Sequence, residues 1–442
     1  MLERLFHLQA SGTNVRREII AGCTTFMTLS YIIFVQPAVL AAAGMDAGAV
    51  MFATCVASAF ATLLMAFLAN YPIALAPGMG HNFYFTFTVC LTLGVSWQHA
   101  LGAVFVAGAL FVLLSTVGLR ETVMRVLPDG LKHAIPVGIG LLIAVVGLEW
   151  SGLITSHPVT YVTLGNLKSS PALVSLFGIG VTAILFVLRV RGAILIGIVA
   201  STLAGLIAGI VTFQGVVAPP PSVAPTFLKL EIPNIFADPK LIAVIFVFIF
   251  LDLFDTVGTL IGVTQQAGLM VDDKLPRAQQ ALFSDAMGTC VGALLGTSTV
   301  TSYIESASGV SAGGRTGLTN VVTALLMLCA LFFNPLIKMV GAGYTLENNI
   351  TLYPVIAPAL IIVGSLMLQS VLHIHWNDPT ESIPAFLTLI IMPLTFSITE
   401  GIAFGFISLA LLKLVSGQGK QVHWLIYLFA VLFVGRYIWL VG

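Results

Sequence analysis

The chain has 442 residues, of which 58% are hydrophobic and only 8% charged, with 18 basic residues against 18 acidic ones. A soluble domain carries about 25% charged residues, so this composition excludes a soluble globular fold and points to a multi-span, all-α membrane protein. The neutral balance leaves no basic surface for nucleic acid and no acidic tail.

The opening stretch MLERLFHLQASGTNVRREII does not read as a cleaved leader. Its first apolar run begins near Ile19, behind Arg16 and Arg17, with no small-residue cleavage site. Residues 1–18 are therefore expected to be a cytoplasmic N-terminus, followed by an uncleaved first span. A spanning helix needs about 20 apolar residues. Fourteen stretches qualify: roughly 19–42, 48–69, 72–92, 97–117, 131–150, 171–188, 192–213, 240–263, 279–296, 298–317, 319–341, 355–373, 383–398 and 400–416. A further apolar stretch at 423–441 reads as a fifteenth span or as a helix lying in the interface.

Basic residues set the orientation. With the N-terminus inside, Arg4, Arg16, Arg17, Arg120, Arg125, Lys132, Arg189, Arg191, Lys274, Arg277, Arg315, Lys413 and Lys420 fall on the cytoplasmic side. Lys168, Lys229, Lys240 and Lys338 fall outside, and Arg436 lies in the ambiguous last segment. The expected location is the cell (inner or plasma) membrane, as a multi-pass protein.

The first span, TTFMTLSYIIFVQP, places Thr24, Thr25, Thr28 and Gln36 in lipid-length apolar sequence. Threonines often bond back to their own helix. Thr28 and Gln36 are the better site candidates. The third span, YPIALAPGMGHNFYFTFTV, is interrupted by Gly and Pro. His81 to Phe87 alternates as a short strand would, and His81 is a candidate proton shuttle, although a packed histidine is the blander account.

The loop at 214–239 contains PPP near the chain midpoint and reads as an extracytoplasmic linker. It separates 19–213 from 240–416, with 417–442 left as a C-terminal accessory segment. Seven spans on each side would make the second half inverted relative to the first.

The eighth span, FIFLDLFDTVGTLIG, carries Asp252 and Asp255. A carboxylate at the bilayer centre costs roughly 2.5–3.5 kcal/mol even on a lenient scale, so these acids face a cavity or a partner. Asp252, Asp255, Thr256 and Thr259 share one helical face. The stripe reads as a cavity lining around Asp255, with Asp252 and Thr256 in support, or as a bonded helix seam. Asp285, near the start of the ninth span, reads as interfacial or structural.

The tenth span, GTSTVTSYIESASGVSAGG, is interrupted like the third and begins about 225 residues after it. Paired broken segments in inverted halves are the best sequence pointer to a transporter's binding site. The run Thr299 to Ile304, including Ser302, reads as a strand. Glu305 follows it, either as a ligand contact or as a cap for the next half-helix. Arg315 reads as a topological charge.

Cys23, Cys55, Cys90, Cys290 and Cys329 read as small buried hydrophobes. His373, His375, Asp378 and Glu381 read as loop polarity in preference to a metal cluster. No Walker A or HExxH pattern exists, and no enzyme, cofactor or metal is expected.

The runs LDLFDTVGTLIG and GTSTVTSYIESASGVSAGGRTGLT, with TTFMTLSYIIFVQP, ALAPGMG and ESIPAFLTLIIMPLTFSITEGIAFGFIS, resemble the AzgA-like branch of the nucleobase transporters. These are adenine, guanine and hypoxanthine permeases within the xanthine/uracil permease superfamily. The resemblance implies seven plus seven inverted spans, with short strands in spans 3 and 10. It implies a core domain (spans 1–4 and 8–11) moving against a gate domain (5–7 and 12–14). It also implies proton-coupled purine uptake, with Asp255 and Glu305 as the acids of the eighth and tenth spans.

On the same resemblance, Phe83 and Ile304 mark backbone contacts; Thr259, Asn82, Thr28 and Gln36, read from the polar residues of their spans, complete the substrate set. Proton coupling falls to Asp255, Glu305 and His81. A homodimer in the bilayer fits the family. Gln36, His81 and Phe83 depart from its commoner asparagine, leucine and alanine, which bears on purine choice. An anion transporter on the same fold is the alternative.

Overall fold

A computed structural model describes residues 2–117, 128–233, 235, 238–270, 275–341, 343–346 and 351–439. Arg120, Arg125 and Lys274, used above for orientation, lie outside them. In the first half the helices are α1 (Leu2–Phe6), α2 (Val15–Leu29), α3 (Ile32–Ala41), α4 (Ala47–Leu64), α5 (Met79–Phe83), α6 (Trp97–Val117), α7 (Asp129–Trp150), α8 (Ser170–Val187) and α9 (Ala193–Ile207). In the second they are α10 (Pro239–Gln266), α11 (Ala278–Leu295), α12 (Ser306–Ser311), α13 (Gly317–Ala330), α14 (Asn334–Val340), α15 (Ala357–Met367), α16 (Pro379–Thr395), α17 (Ile398–Val415) and α18 (Trp424–Trp439). Two short strands matter for the site, β1 (Leu75–Pro77) and β2 (Val300–Ser302).

Many starts follow from polar N-caps, whose side chains satisfy amides left over in the first turn. Asn14 accepts from the Arg17 amide at 3.0 Å and Asp46 from the Ala49 amide at 2.8 Å. Asp238, Thr316, Asp378 and Ser397 cap α10, α13, α16 and α17 in the same way.

Among the described residues, eight helices are long and apolar enough to cross a membrane: Val15–Ala41, Ala47–Ala69, Trp97–Ser115, Gly130–Trp150, Ser170–Val187, Lys240–Gln266, Gly317–Val340 and Ile398–Val415. Ala193–Ile207, Ala357–His373 and Trp424–Ile438 are shorter apolar helices. The protein is thus helical and polytopic. Several of the remaining apolar stretches are visibly compromised. The third and tenth are broken by strands, α11 carries Gln279, Gln280, Ser284 and Asp285, and α16 contains Pro384 and Pro393.

At the breaks, β1 and β2 pair antiparallel, with Leu75 opposite Ser302, Ala76 opposite Thr301 and Pro77 opposite Val300. Irregular backbone at membrane depth survives only when protein satisfies it, and here the partners can be named. The Leu75 amide donates to Thr62 Oγ1 at 2.9 Å, and that hydroxyl donates to the Leu75 carbonyl at 3.1 Å. Thr289 does the same for Val300, at 3.2 and 2.9 Å. The Ile73 carbonyl accepts from Asn320 at 2.6 Å, and the Ala74 amide donates to Ser306 Oγ at 3.0 Å. The two-stranded sheet is therefore held from the flanking helices α4 and α11 as well as across its own ladder.

The strand of the third span is not where the alternation of His81 to Phe87 puts it. That segment is helical, as α5 and then a π-helix over Tyr84–Thr92. Phe83 and Phe87, four residues apart, stack at 5.4 Å. The aromatics were spaced for a helix face. Extended backbone falls instead on Leu75–Pro77, where Pro77 cannot donate and Gly78 lets the chains close.

One other reading needs correction. Cys329 is exposed, on the outer side of α13 near the exposed Leu325, so it is not a buried hydrophobe; Cys23 and Cys90 are only partly buried. The described part of 423–441 is not isolated from the other helices. Within it α18 packs along α17, with Phe429 against Phe406 at 5.6 Å and Arg436 bonded to Glu400 at 2.7 Å.

Candidate functional site

The β1–β2 pair carries the site because each strand leads directly into a short helix. β1 leads into α5 through Gly78, and β2 leads into α12 through Tyr303, Ile304 and Glu305. Gly78 has no room for a side chain, since a Cβ there would lie 2.5 Å from His81 Nδ1 and 2.6 Å from Thr301 Cγ2. The Gly78 amide donates to the Thr299 carbonyl at 3.0 Å, extending the ladder.

Asp255 projects from α10 over this glycine, with Oδ2 3.3 Å from the position a Gly78 Cβ would take. Its side chain is 44% exposed, and its Oδ2 lies 3.8 Å from His81 Nδ1. An acid facing lipid would cost roughly 2.5–3.5 kcal/mol even on a lenient scale, which favours water or protein against this face of α10. Gly258, one turn on, has nothing within 4 Å of its own Cβ position. His81 is 1% exposed, and neither of its ring nitrogens has a hydrogen-bond partner.

Glu305 occupies the N-cap position of α12 but makes no side-chain cap bond. Its Oε1 accepts instead from the Tyr31 hydroxyl at 2.7 Å. Its backbone carbonyl accepts from Thr28 Oγ1 at 3.3 Å. The capping account is thereby corrected: the carboxylate is turned toward span 1, and its second oxygen makes no bond of its own to the α12 amides.

The other predicted residues divide. Thr256 is buried, donates to Asp285 at 2.7 Å and shares a 2.8 Å bond with Thr301, so it pins α10 to β2 and α11. Asp285 is consequently a buried structural acid and not an interfacial one. Asp252 is fully buried on the same helix. Thr259 is 7% exposed on the Asp255 helix.

Gln36 and Asn82 are fully buried and meet on Ser298. Gln36 Nε2 donates to Thr297 at 2.9 Å and Ser298 at 3.0 Å, and Ser298 donates to Asn82 Oδ1. Phe83 lies inside α5 with its ring buried, whereas Ile304 sits in the turn before α12, outside the strand, with its side chain 55% exposed. Ser302 is buried in β2, its hydroxyl without a partner.

The model of the permease family matches residues 16–404. The chain belongs to the permease family. This permease is 46% identical over 451 residues to the guanine/hypoxanthine permease PbuG of Bacillus subtilis, covering 99% of this chain and 100% of PbuG. It is 44% identical over 435 residues to the adenine permease AdeP of Escherichia coli, covering 98% of this chain and 95% of AdeP. Among solved structures the permease resembles the transmembrane domain of the cyanobacterial bicarbonate transporter BicA, with a TM-score of 0.63 at 14% identity. That match covers 87% of this chain and 97% of the other, and the likeness is one of fold alone. Membership makes the chain a multi-pass membrane transporter and not an enzyme.

Three residues of the permease's site region escaped the sequence reading. Tyr31 reads as core in LSYIIF, and Tyr303 as a strand aromatic, yet Tyr303 donates through its hydroxyl to the Pro77 carbonyl across the sheet. Glu18 looks like part of the Arg16–Arg17 flank. It is fully buried and accepts from the Arg315, Thr316 and Thr319 amides at 2.9, 3.3 and 3.1 Å and from the Thr316 and Thr319 hydroxyls at 2.9 and 2.7 Å. Arg315 is correspondingly more than a topological charge. Its guanidinium donates to the carbonyls of Val310 and Gly314 at 2.7 Å, closing the C-terminal end of α12.

Proposed function

We propose that this permease imports purine nucleobases in symport with protons, through a pocket bounded by Asp255 and Glu305. The observation that carries the reading is that two acids of the second half, Asp255 and Glu305, flank the only sheet that joins the two halves among the described residues. The names of relatives that align over nearly the whole chain supply the substrate class: guanine and hypoxanthine for PbuG, adenine for AdeP.

The chemistry fits a purine. Its edge carries N–H groups for carboxylates and ring nitrogens or a carbonyl for amides, and its faces are apolar. The short helices after each strand add the positive ends of their dipoles. In this reading Asp255, Glu305, Thr259 and the backbone near Phe83 and Ile304 touch substrate, with Asn82, Thr28 and Gln36 shaping the pocket. Asp252, Thr256 and Ser302 support it, and Asp255, Glu305 and His81 handle the proton. An anion would meet two carboxylates and no cation here, which weighs against anion transport despite the BicA-like fold.

The same proposal includes fourteen spans as two inverted sets of seven, with the N-terminus cytoplasmic. Residues 19–213 and 240–416 form the repeats, and core spans 1–4 and 8–11 move against gate spans 5–7 and 12–14. Antiparallel pairing of the strands that break spans 3 and 10 is compatible with an inverted relation between halves. Residues 1–18, 214–239 and 417–442 are then the terminus, linker and accessory segment, and the protein works as a homodimer in the cell membrane.

The test is uptake of radiolabelled hypoxanthine and adenine into cells lacking their own purine permeases, with adenine, guanine, xanthine and uracil as competitors. Uptake that saturates, is displaced by purines and collapses with a protonophore is expected. Absence of purine uptake, or chloride or bicarbonate flux indifferent to purines, would overturn the proposal.

A further inference from the structure

We infer that Tyr31 is a positioning residue for substrate recognition, which commits one oxygen of Glu305 and so presents the other to the ligand. The inference rests on the reading of Glu305 as a substrate acid. Span 1 is interrupted at Ser30–Tyr31, between the end of α2 at Leu29 and the start of α3 at Ile32. At this interruption Tyr31 is 1% exposed. Its phenol reaches Glu305 Oε1 at 2.7 Å, while Thr28, one turn earlier, holds the Glu305 carbonyl at 3.3 Å. One joint in span 1 therefore grips both the main chain and the side chain of Glu305.

The grip has a chemical consequence. A carboxylate is acceptor-only when ionised, and a phenol that donates to it strengthens that role in a dry setting. A glutamate at the head of a helix ordinarily turns back to cap free amides. Tyr31 supplies a competing donor that holds the group out of the cap, so its remaining oxygen is preorganised for an incoming N–H. The ionisable groups facing Glu305 are Tyr31 at the head of α3, Tyr303 after β2 and Asp255 on α10. His81 lies beyond Asp255 on α5. Tyr303 spends its hydroxyl on Pro77, so Tyr31 is the donor assigned to the acid.

Tyr31→Phe tests this, because it removes the hydroxyl and keeps the ring. Loss of a hydrogen bond to a charged group predicts a KM for labelled hypoxanthine, guanine or adenine raised about tenfold or more. Vmax at equal membrane abundance is expected within about twofold of the parent, since the bond acts on ground-state recognition. The dependence of KM on pH is also expected to shift in Tyr31→Phe, because its donor to Glu305 is gone, which a purely packing role would not produce. Parental KM and pH dependence in Tyr31→Phe, alongside loss of uptake in Glu305→Gln, would overturn the role of Tyr31 alone. Unimpaired uptake in Glu305→Gln would instead overturn the reading beneath it. A Tyr31→Phe chain that fails to fold would also contradict the inference, because it confines the hydroxyl to affinity.

Discussion

Gly78 is hemmed in at the centre of the site by His81, Thr301 and Asp255, and two glycine substitutions separate geometry from helix propensity there. At Gly78 a methyl group would collide with His81 and with Thr301 of the facing strand, forcing strain of about 1–3 kcal/mol. Gly78→Ala is expected to cut purine uptake at least tenfold while the protein still inserts, measured as initial rate against immunoblotted membrane protein. At Gly258 the same methyl meets open space. Gly258→Ala is therefore expected to leave the unfolding midpoint unchanged or slightly raised, since alanine is the better helix former by about 1 kcal/mol. What the sequence disclosed at this scale was cost. Asp255 and Glu305 stand out because acids are expensive in apolar spans. Tyr31 and Glu18 do not, because tyrosine is ordinary in a core and Glu18 sits beside two arginines.

At the level of elements, buried polar anchors hold the broken spans in register. Glu18 gathers five donors from the turn between α12 and α13 and from the first turn of α13, and Arg315 closes the far end of α12. The helix that begins at Glu305 is thereby fixed at both ends by span 1 and its own exit turn. Glu18→Ala would strand these donors in a dry site and is expected to destabilise the fold by about 3 kcal/mol or more, read as a lowered unfolding midpoint in detergent.

A cap outside the membrane gives a pH test. Asp378 accepts from the Thr380 hydroxyl and amide and lies 3.6 Å from Lys413. The Thr380 bonds, with Lys413 adding to them, hold its carboxyl below the usual range. A carboxyl depressed on folding stabilises the protein above its unfolded pKa of about 3.9, and that contribution is lost as pH falls through the lower folded value. Asp378→Ala is expected to lower stability at neutral pH by about 1 kcal/mol, and the difference from the parent is expected to vanish in strong acid. The breaks themselves were legible in the Gly and Pro of spans 3 and 10. The strand of span 3 was misplaced because alternating aromatics mimic a strand over a few residues. The side chains that satisfy the true strand, Thr62 and Thr289, come from other helices.

For the whole molecule, the apolar content fixed the class as helical and polytopic, while the permease reading came from the motifs of the broken spans. Composition left α18 either spanning or interfacial, and packing joins it to α17 along its length, through Phe406 and the Glu400–Arg436 bond. Cys329 offers a test of the outer surface. Exposed on an apolar helix, it is expected to react with a membrane-soluble maleimide and to resist a charged one, whereas Cys55, fully buried, is expected to resist both. The central claim is that Asp255 and Glu305, two acids of the second half, form a single purine site at the strand pair that joins the halves. Its most direct measurement is the equilibrium binding of labelled hypoxanthine, guanine and adenine to purified Asp255→Asn and Glu305→Gln proteins. Each variant is predicted to bind at least about tenfold more weakly than the parent; parental affinity in both would contradict the account.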